Sequence, residues 1–143
     1  MSPDAIQARF VDEIKLRAYD DRYIDKNEER EILQIAIQHG IGIDTARADL
    51  AMVCEQNGYV LESALMTRIR SQAEAAVAAG GHLEREGFDR IFDDARKYAQ
   101  GRKNDRELKK IAMLVIEDAG LNKVKTGWFT DWWGSLKREL GMG

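Results

Sequence analysis

The sequence contains very few residues that crosslink chains or interrupt helices. Its 143 residues include a single cysteine, Cys54, and a single proline. One cysteine cannot form an intramolecular disulfide, so a small scaffold held together by disulfides is excluded. A lone thiol is typical of a reducing compartment, which favours the cytoplasm.

Long hydrophobic runs are also missing. No stretch approaches the ~20 apolar residues that a membrane span needs. The first four residues have neither a basic lead nor an apolar segment, so we expect no secretory signal. The net charge is −3 and 44% of the residues are apolar, which is too apolar and too near neutral for a disordered acidic protein. We therefore expect a single domain spanning residues 1–143, located in the cytoplasm.

Apolar residues recur every three or four positions along most of the chain, which predicts amphipathic helices. We expect a fourth helix to begin near Val60. The inward positions expected for the second helix are Ile32, Leu33, Ala36 and Ile37. Asp25 and Asn104 each precede a glutamate by three residues, a pattern typical of helix N-termini, and Asp44 is the expected cap of a third helix. The β-branched residues never alternate with polar ones as they do in a strand, so the sequence predicts no strand. The sequence thus predicts an all-α fold, a single compact bundle of about six or seven helices.

A similar pattern occurs twice in the chain. An apolar helix, a polar loop, a capping box, a second helix and a glycine follow one another from Phe10 to Gly40 and again from Phe88 to Gly120. The boxes are 79 residues apart and the closing glycines 80. Two related helix-loop-helix halves are one interpretation. The other is that capped helix pairs look alike in any bundle.

The loop at residues 20–29 has the highest density of oxygen ligands in the chain. Asp20, Asp21 and Asp25 are candidate ligands for a hard divalent cation such as Ca²⁺ or Mg²⁺. An EF-hand register fails, because a loop beginning at Asp21 has Lys26 at its sixth position and Ile32 at its twelfth. The structural alternative is that Asp25 simply caps the following helix.

The segment from Ala18 to Leu33, continuing to His39-Gly40-Ile41, resembles the signature of TerB-like (tellurite-resistance) helical domains. This resemblance implies an all-helical fold, often of two related halves, with acidic residues that bind a divalent cation. It also implies association with stress-response complexes, commonly near the membrane. Where the family has Asp-Gly, this chain has Asp21-Arg22, and residues 99–103 lack the acidic turn in the second half.

A basic stretch at residues 96–110 offers an alternative function in nucleic-acid association. Its candidate contacts are Arg102, Lys103, Arg106, Lys109 and Lys110. Only Tyr98 is available there for base stacking, so a solvated helix face is the competing interpretation and nucleic acid is the weaker partner. A helix-turn-helix reading of residues 35–50 is also poor, because residues 44–49 carry two acids and one base.

Aromatic residues concentrate in the last predicted helix, which begins near Thr126 within the segment 122–143. Trp128, Trp132 and Trp133 are candidate partner-binding residues. The helix either packs on the bundle or projects from it as a contact for a protein partner or an anionic membrane surface. We expect it to pack on the bundle, with one or two rings left exposed.

Catalytic signatures are missing. Cys54 is on an apolar helical face, and the two histidines, His39 and His82, have no spacing typical of a zinc site. No phosphate-binding loop, nucleophile elbow or dinucleotide fingerprint is present. The sequence therefore predicts a non-enzymatic interaction module with a protein partner, in which the acidic loop around Asp20, Asp21 and Asp25 binds either a divalent cation or a partner.

Overall fold

The computed structural model describes residues 3–122 and 131–142. Within these ranges the fold has seven α-helices and two strands of two residues each, which confirms the all-α prediction of six or seven helices. The elements are α1 (Pro3–Arg17), β1 (Tyr23–Ile24), α2 (Lys26–Gln38), α3 (Ile43–Asn57), β2 (Val60–Leu61), α4 (Glu62–Gly80), α5 (Arg85–Ala99), α6 (Asp105–Asp118) and α7 (Trp132–Glu139).

The chain divides into two compact units, the first ending at Ser63 and the second beginning at Ala64. In the first unit α1, α2 and α3 contact one another in every pairing. Ile14, Ile32 and Leu50 are fully buried between them. None of the described helices is long and apolar enough to cross a membrane.

The first unit also contains a short parallel strand pair, where the sequence predicted no strand. Tyr23 pairs with Val60 and Ile24 with Leu61. Two-residue strands are too short to show the alternation that marks a strand in sequence, so this prediction was wrong. Since Val60 and Leu61 belong to β2, the fourth helix begins at Glu62, and not near Val60 as predicted.

The capping box at the start of α2 is confirmed. The Asp25 carboxylate accepts a hydrogen bond from the Glu28 backbone N–H at 2.8 Å, and the Glu28 carboxylate accepts one from the Asp25 N–H at 3.2 Å. The predicted cap of α3 was wrong. Gly42 is the N-cap of that helix, without a side-chain hydrogen bond, and Asp44 lies inside the first turn. There its negative charge complements the positive helix end.

In the second unit α5, α6 and α7 share one apolar core with part of α4. Helices α2 and α6 are buried at equivalent positions. Three residues of α2 are buried, and so are the three residues of α6 that lie 80 positions later in the sequence. These are Ile32, Leu33 and Ala36 in the first unit, and Ala112, Met113 and Ile116 in the second. The second helix of the repeated sequence pattern is thus buried at equivalent positions in the two units.

Candidate functional site

The first unit carries an open groove of about 600 Å³ along helix α2. Its α2 side is built from positions spaced three and four apart, which lie on one helix face. The start of α3 and the residues around β2 supply the rest. The lining residues are Lys26, Glu29, Arg30, Leu33, Gln34, Ile37, Ile43, Arg47, Leu61 and Ser63.

Four aliphatic side chains give the groove an apolar surface. Leu33 and Leu61 are buried, whereas Ile37 is 54% and Ile43 37% exposed. The sequence predicted that Ile37 points inward, and this was wrong. The buried face of α2 is centred on Ile32, Leu33 and Ala36, and at about 100° per residue Ile37 turns towards solvent. Exposed aliphatic side chains that line one groove together, with polar groups around them, favour a binding surface over isolated surface residues.

Three cations border this apolar surface. Among the described residues, Lys26, Arg30 and Arg47 form no ion pair, in contrast to Arg17, which pairs with Glu13 at 3.1 Å. The one acidic lining residue, Glu29, accepts a hydrogen bond from the Ser63 hydroxyl at 3.0 Å. The groove is thus locally positive in a unit that has seven basic and 13 acidic residues, a net charge of −6.

The acidic turn does not gather its carboxylates into a ligand set. Asp21 accepts a hydrogen bond from the Tyr23 N–H at 3.1 Å, Asp25 caps α2, and Asp20 is exposed. In the part of the chain that the structure describes, no group of three or more acidic, histidine or cysteine side chains could hold a metal ion. Cation binding by this turn stays a prediction, and the observed role of Asp21 and Asp25 is to shape the turn.

Two buried ionisable groups in the first unit keep their protons at neutral pH. Burial, reinforced by the hydrogen bond that Tyr23 donates to the Glu62 carboxylate, raises the pKa of the Tyr23 phenol well above its ordinary value. Burial, with a smaller contribution from Glu29, raises the pKa of the Cys54 thiol to about 12. A thiol that stays protonated is a poor nucleophile, so Cys54 is a core residue, as predicted.

Trp133 is a core residue of the second unit. It is 6% exposed, and its indole N–H donates to the Glu117 carboxylate at 3.0 Å. Lys137 contacts the same carboxylate oxygen at 2.7 Å, and this hydrogen bond, with that from Trp133, lowers the pKa of Glu117. The predicted partner contact through Trp133 is therefore corrected: its ring fills the core, where it is inaccessible to a partner.

Trp132 is only partly buried. The Trp132 ring centroid lies 5.8 Å from that of Phe88 and 5.4 Å from that of Trp133. The Arg85 guanidinium lies 5.9 Å from the Trp132 centroid. Trp128 and the predicted helix start near Thr126 lie outside the described residues. Of the described tryptophans, Trp132 is thus the one that is partly exposed.

The basic stretch is partly used within the second unit. The Arg106 guanidinium donates a hydrogen bond to the Leu140 carbonyl at 3.0 Å. This carbonyl is at the C-terminal end of α7, where backbone oxygens lack partners within the helix. Lys109 lies 5.1 Å from the centre of the Phe92 ring, and Lys110 is 3.6 Å from the Glu107 carboxylate. Arg102 is exposed and Lys103 partly exposed. Arg106, Lys109 and Lys110 are therefore directed to separate local contacts.

Sequence reasoning missed the groove residues of the first unit. One signal could have found them, because residues 32–37 of α2 include more apolar positions than a single helix face can bury. Arg30 and Arg47 gave no signal, since isolated cations on a helix are ordinary surface residues.

Comparison of the chain with family models, with curated proteins and with solved structures finds no match. The resemblance to TerB-like domains therefore stays a prediction from the residues quoted above.

Proposed function

We propose that the chain is a non-enzymatic protein-interaction module whose first unit binds a helix of a partner protein in the groove along α2. The observation that carries this proposal is the exposure of Ile37 and Ile43 on the groove surface. Exposing two isoleucines to water is unfavourable, and covering them with a partner's apolar side chains would recover that free energy. A groove with an apolar surface is a common receptor for the apolar face of an amphipathic helix.

The resemblance to TerB-like domains supports the same class of function, because that family is associated with stress-response complexes. We propose a cytoplasmic location on the basis of the lone cysteine. A metal site in the acidic turn is not part of the proposal, since Asp21 and Asp25 already accept backbone hydrogen bonds.

The other sequence-based candidates receive less support from the contacts of the second unit. A protein or membrane contact through the last helix would have to use Trp132, because the Trp133 ring is buried. Nucleic-acid binding would compete with the contacts that Arg106 and Lys110 make with neighbouring groups.

The test of the proposal is peptide binding by two matched variants. Fluorescence anisotropy is measured with designed amphipathic helical peptides of about 15 residues, enough to span four turns. Ile37→Asp replaces an exposed groove residue, and Leu16→Asp replaces a residue that is 69% exposed on α1 and does not line the groove. Because both original side chains are exposed, both variants should fold, which circular dichroism verifies.

We expect the wild type and Leu16→Asp to bind at least one peptide equally well. Ile37→Asp should weaken that binding at least tenfold, because a carboxylate would be buried against the peptide's apolar face. Failure of the wild type to bind any peptide would refute the proposal, as would unchanged binding by Ile37→Asp.

A further inference from the structure

We infer that the partner helix is acidic, with an apolar face that covers Ile37 and Ile43 and carboxylates that pair with Lys26, Arg30 and Arg47. This inference rests on the proposed function and adds the charge and length of the partner. It follows from the unpaired cations that surround the apolar surface of the groove.

The α2 side of the groove is as long as about three helical turns, which sets the length of the partner's contact. On α2 its lining extends from Lys26 to Ile37, a distance of about 16 Å at 1.5 Å per residue. Leu33 and Ile37 are one turn apart, so apolar side chains at positions i and i+4 of the partner would reach both. A longer apolar face on the partner would extend beyond the groove and remain exposed.

The positions of the cations predict where the partner's acidic residues lie. Lys26 and Arg30 are one turn apart on α2, before the apolar positions Leu33 and Ile37. Arg47 lies one turn after Ile43 on α3. Cations thus approach the apolar surface from two helices, and carboxylates on the polar flanks of the partner helix could meet them.

The negative charge of the first unit as a whole is compatible with an acidic partner. At physiological ionic strength charges are screened over about 8 Å, so a bound helix interacts mainly with the groove's own charges. These are three cations and one carboxylate, Glu29, which already accepts a hydrogen bond from Ser63. The surrounding acidic surface would disfavour binding of the same helix elsewhere on the unit.

The experiment uses three peptides with one apolar face in common. Their polar positions carry glutamate, glutamine or lysine, and their binding to the full chain is measured by anisotropy. The protein variants are Arg30→Glu and Arg47→Glu, with Lys15→Glu as the matched control. Lys15 is an exposed cation on α1 that does not line the groove.

The wild type should bind the glutamate peptide about tenfold more tightly than the glutamine peptide, a difference of about 1.4 kcal/mol. The lysine peptide should bind most weakly. Arg30→Glu and Arg47→Glu should each reduce or reverse this preference, whereas Lys15→Glu should preserve it. Raising NaCl from about 50 mM to about 500 mM should remove most of the difference between the peptides.

Three results would overturn the inference, and they distinguish its failure from failure of the proposed function. Equal binding of the glutamate and glutamine peptides would refute the acidic partner but retain the docking groove. No binding of any peptide would refute the groove function itself. A third arm measures binding of the chain to phosphatidylglycerol vesicles. If the chain bound these vesicles only when Arg30 and Arg47 were present, and did not distinguish the three peptides, its ligand would be a lipid surface. The inference would then be wrong.

Discussion

Replacement of Trp133 tests whether the last helix belongs to the core of the second unit. The Trp133 side chain is 6% exposed. A packed aromatic ring buries ~150–250 Å², which at ~25 cal/mol per Å² amounts to about 4–6 kcal/mol. Since substitutions of buried tryptophan by alanine usually cost ~3–5 kcal/mol, we expect Trp133→Ala to lower the free energy of unfolding by about 4 kcal/mol.

A second, milder variant separates the hydrogen bond from the packing. Trp133→Phe keeps an aromatic ring near Phe88, whose ring lies edge-on to Trp133 at 6.0 Å. It removes the indole N–H that donates to Glu117, which is still contacted by Lys137. The expected loss is therefore smaller, about 1.5–3 kcal/mol, the usual contribution of a hydrogen bond to a charged group.

Urea unfolding followed by tryptophan fluorescence is the appropriate assay, because all three tryptophans belong to the second unit. Trp132 remains as a reporter in both variants. Leu114→Ala, at a site on α6 that is 48% exposed, is the surface control and should change the stability by less than about 0.5 kcal/mol. If Trp133→Ala cost no more than this control, the ring would not be a core group and the assignment of α7 to the core would be wrong.

Three further predictions concern the helix ends and the charged contacts. The hydrogen bond from Lys137 lowers the pKa of Glu117, so its stabilising effect is present above the unfolded pKa of about 4.3 and is lost as the pH falls through the lower folded value. The stability difference between wild type and Glu117→Gln should therefore shrink in urea titrations below about pH 4, and a constant difference would contradict this. Asp25→Ala should cost about 1 kcal/mol in thermal unfolding through loss of the cap, equally with Ca²⁺ or EDTA; a cost seen only with Ca²⁺ would instead show ligation. Gly134→Ala should fail to give the usual gain of about 1 kcal/mol, because its Cβ would overlap the Asp131 carboxylate and displace it from its capping hydrogen bond with the backbone N–H of residue 134. A measured gain of that size would refute the cap geometry.

The features that the sequence predicted correctly are those set by neighbouring residues. The capping box at Asp25 and Glu28 depends on atoms three residues apart, so it can be recognised from the residue types alone. The end of α3 is another example, since Gly58 takes the left-handed conformation, with φ of 68°, that favours glycine. Interactions between neighbouring residues of this kind also allowed the number of helices to be predicted.

The features that the sequence missed depend on contacts between distant residues. The exposure of Ile37 is decided by which face of α2 meets α1 and α3. The apolar residues of α2 alone are compatible with more than one buried face. Trp133 shows the same limit, because an amphipathic helix looks alike whether its apolar face meets its own core or a partner. Its contacts with Phe88 and Glu117 decide the question in favour of the core.

The most direct test of the docking groove is an NMR titration of the ¹⁵N-labelled chain with the glutamate peptide. We expect the largest amide shift changes along α2, from Lys26 to Ile37, and in the first turns of α3 around Ile43 and Arg47. Changes concentrated at Trp132 or along residues 102–110 would contradict the groove as the binding site.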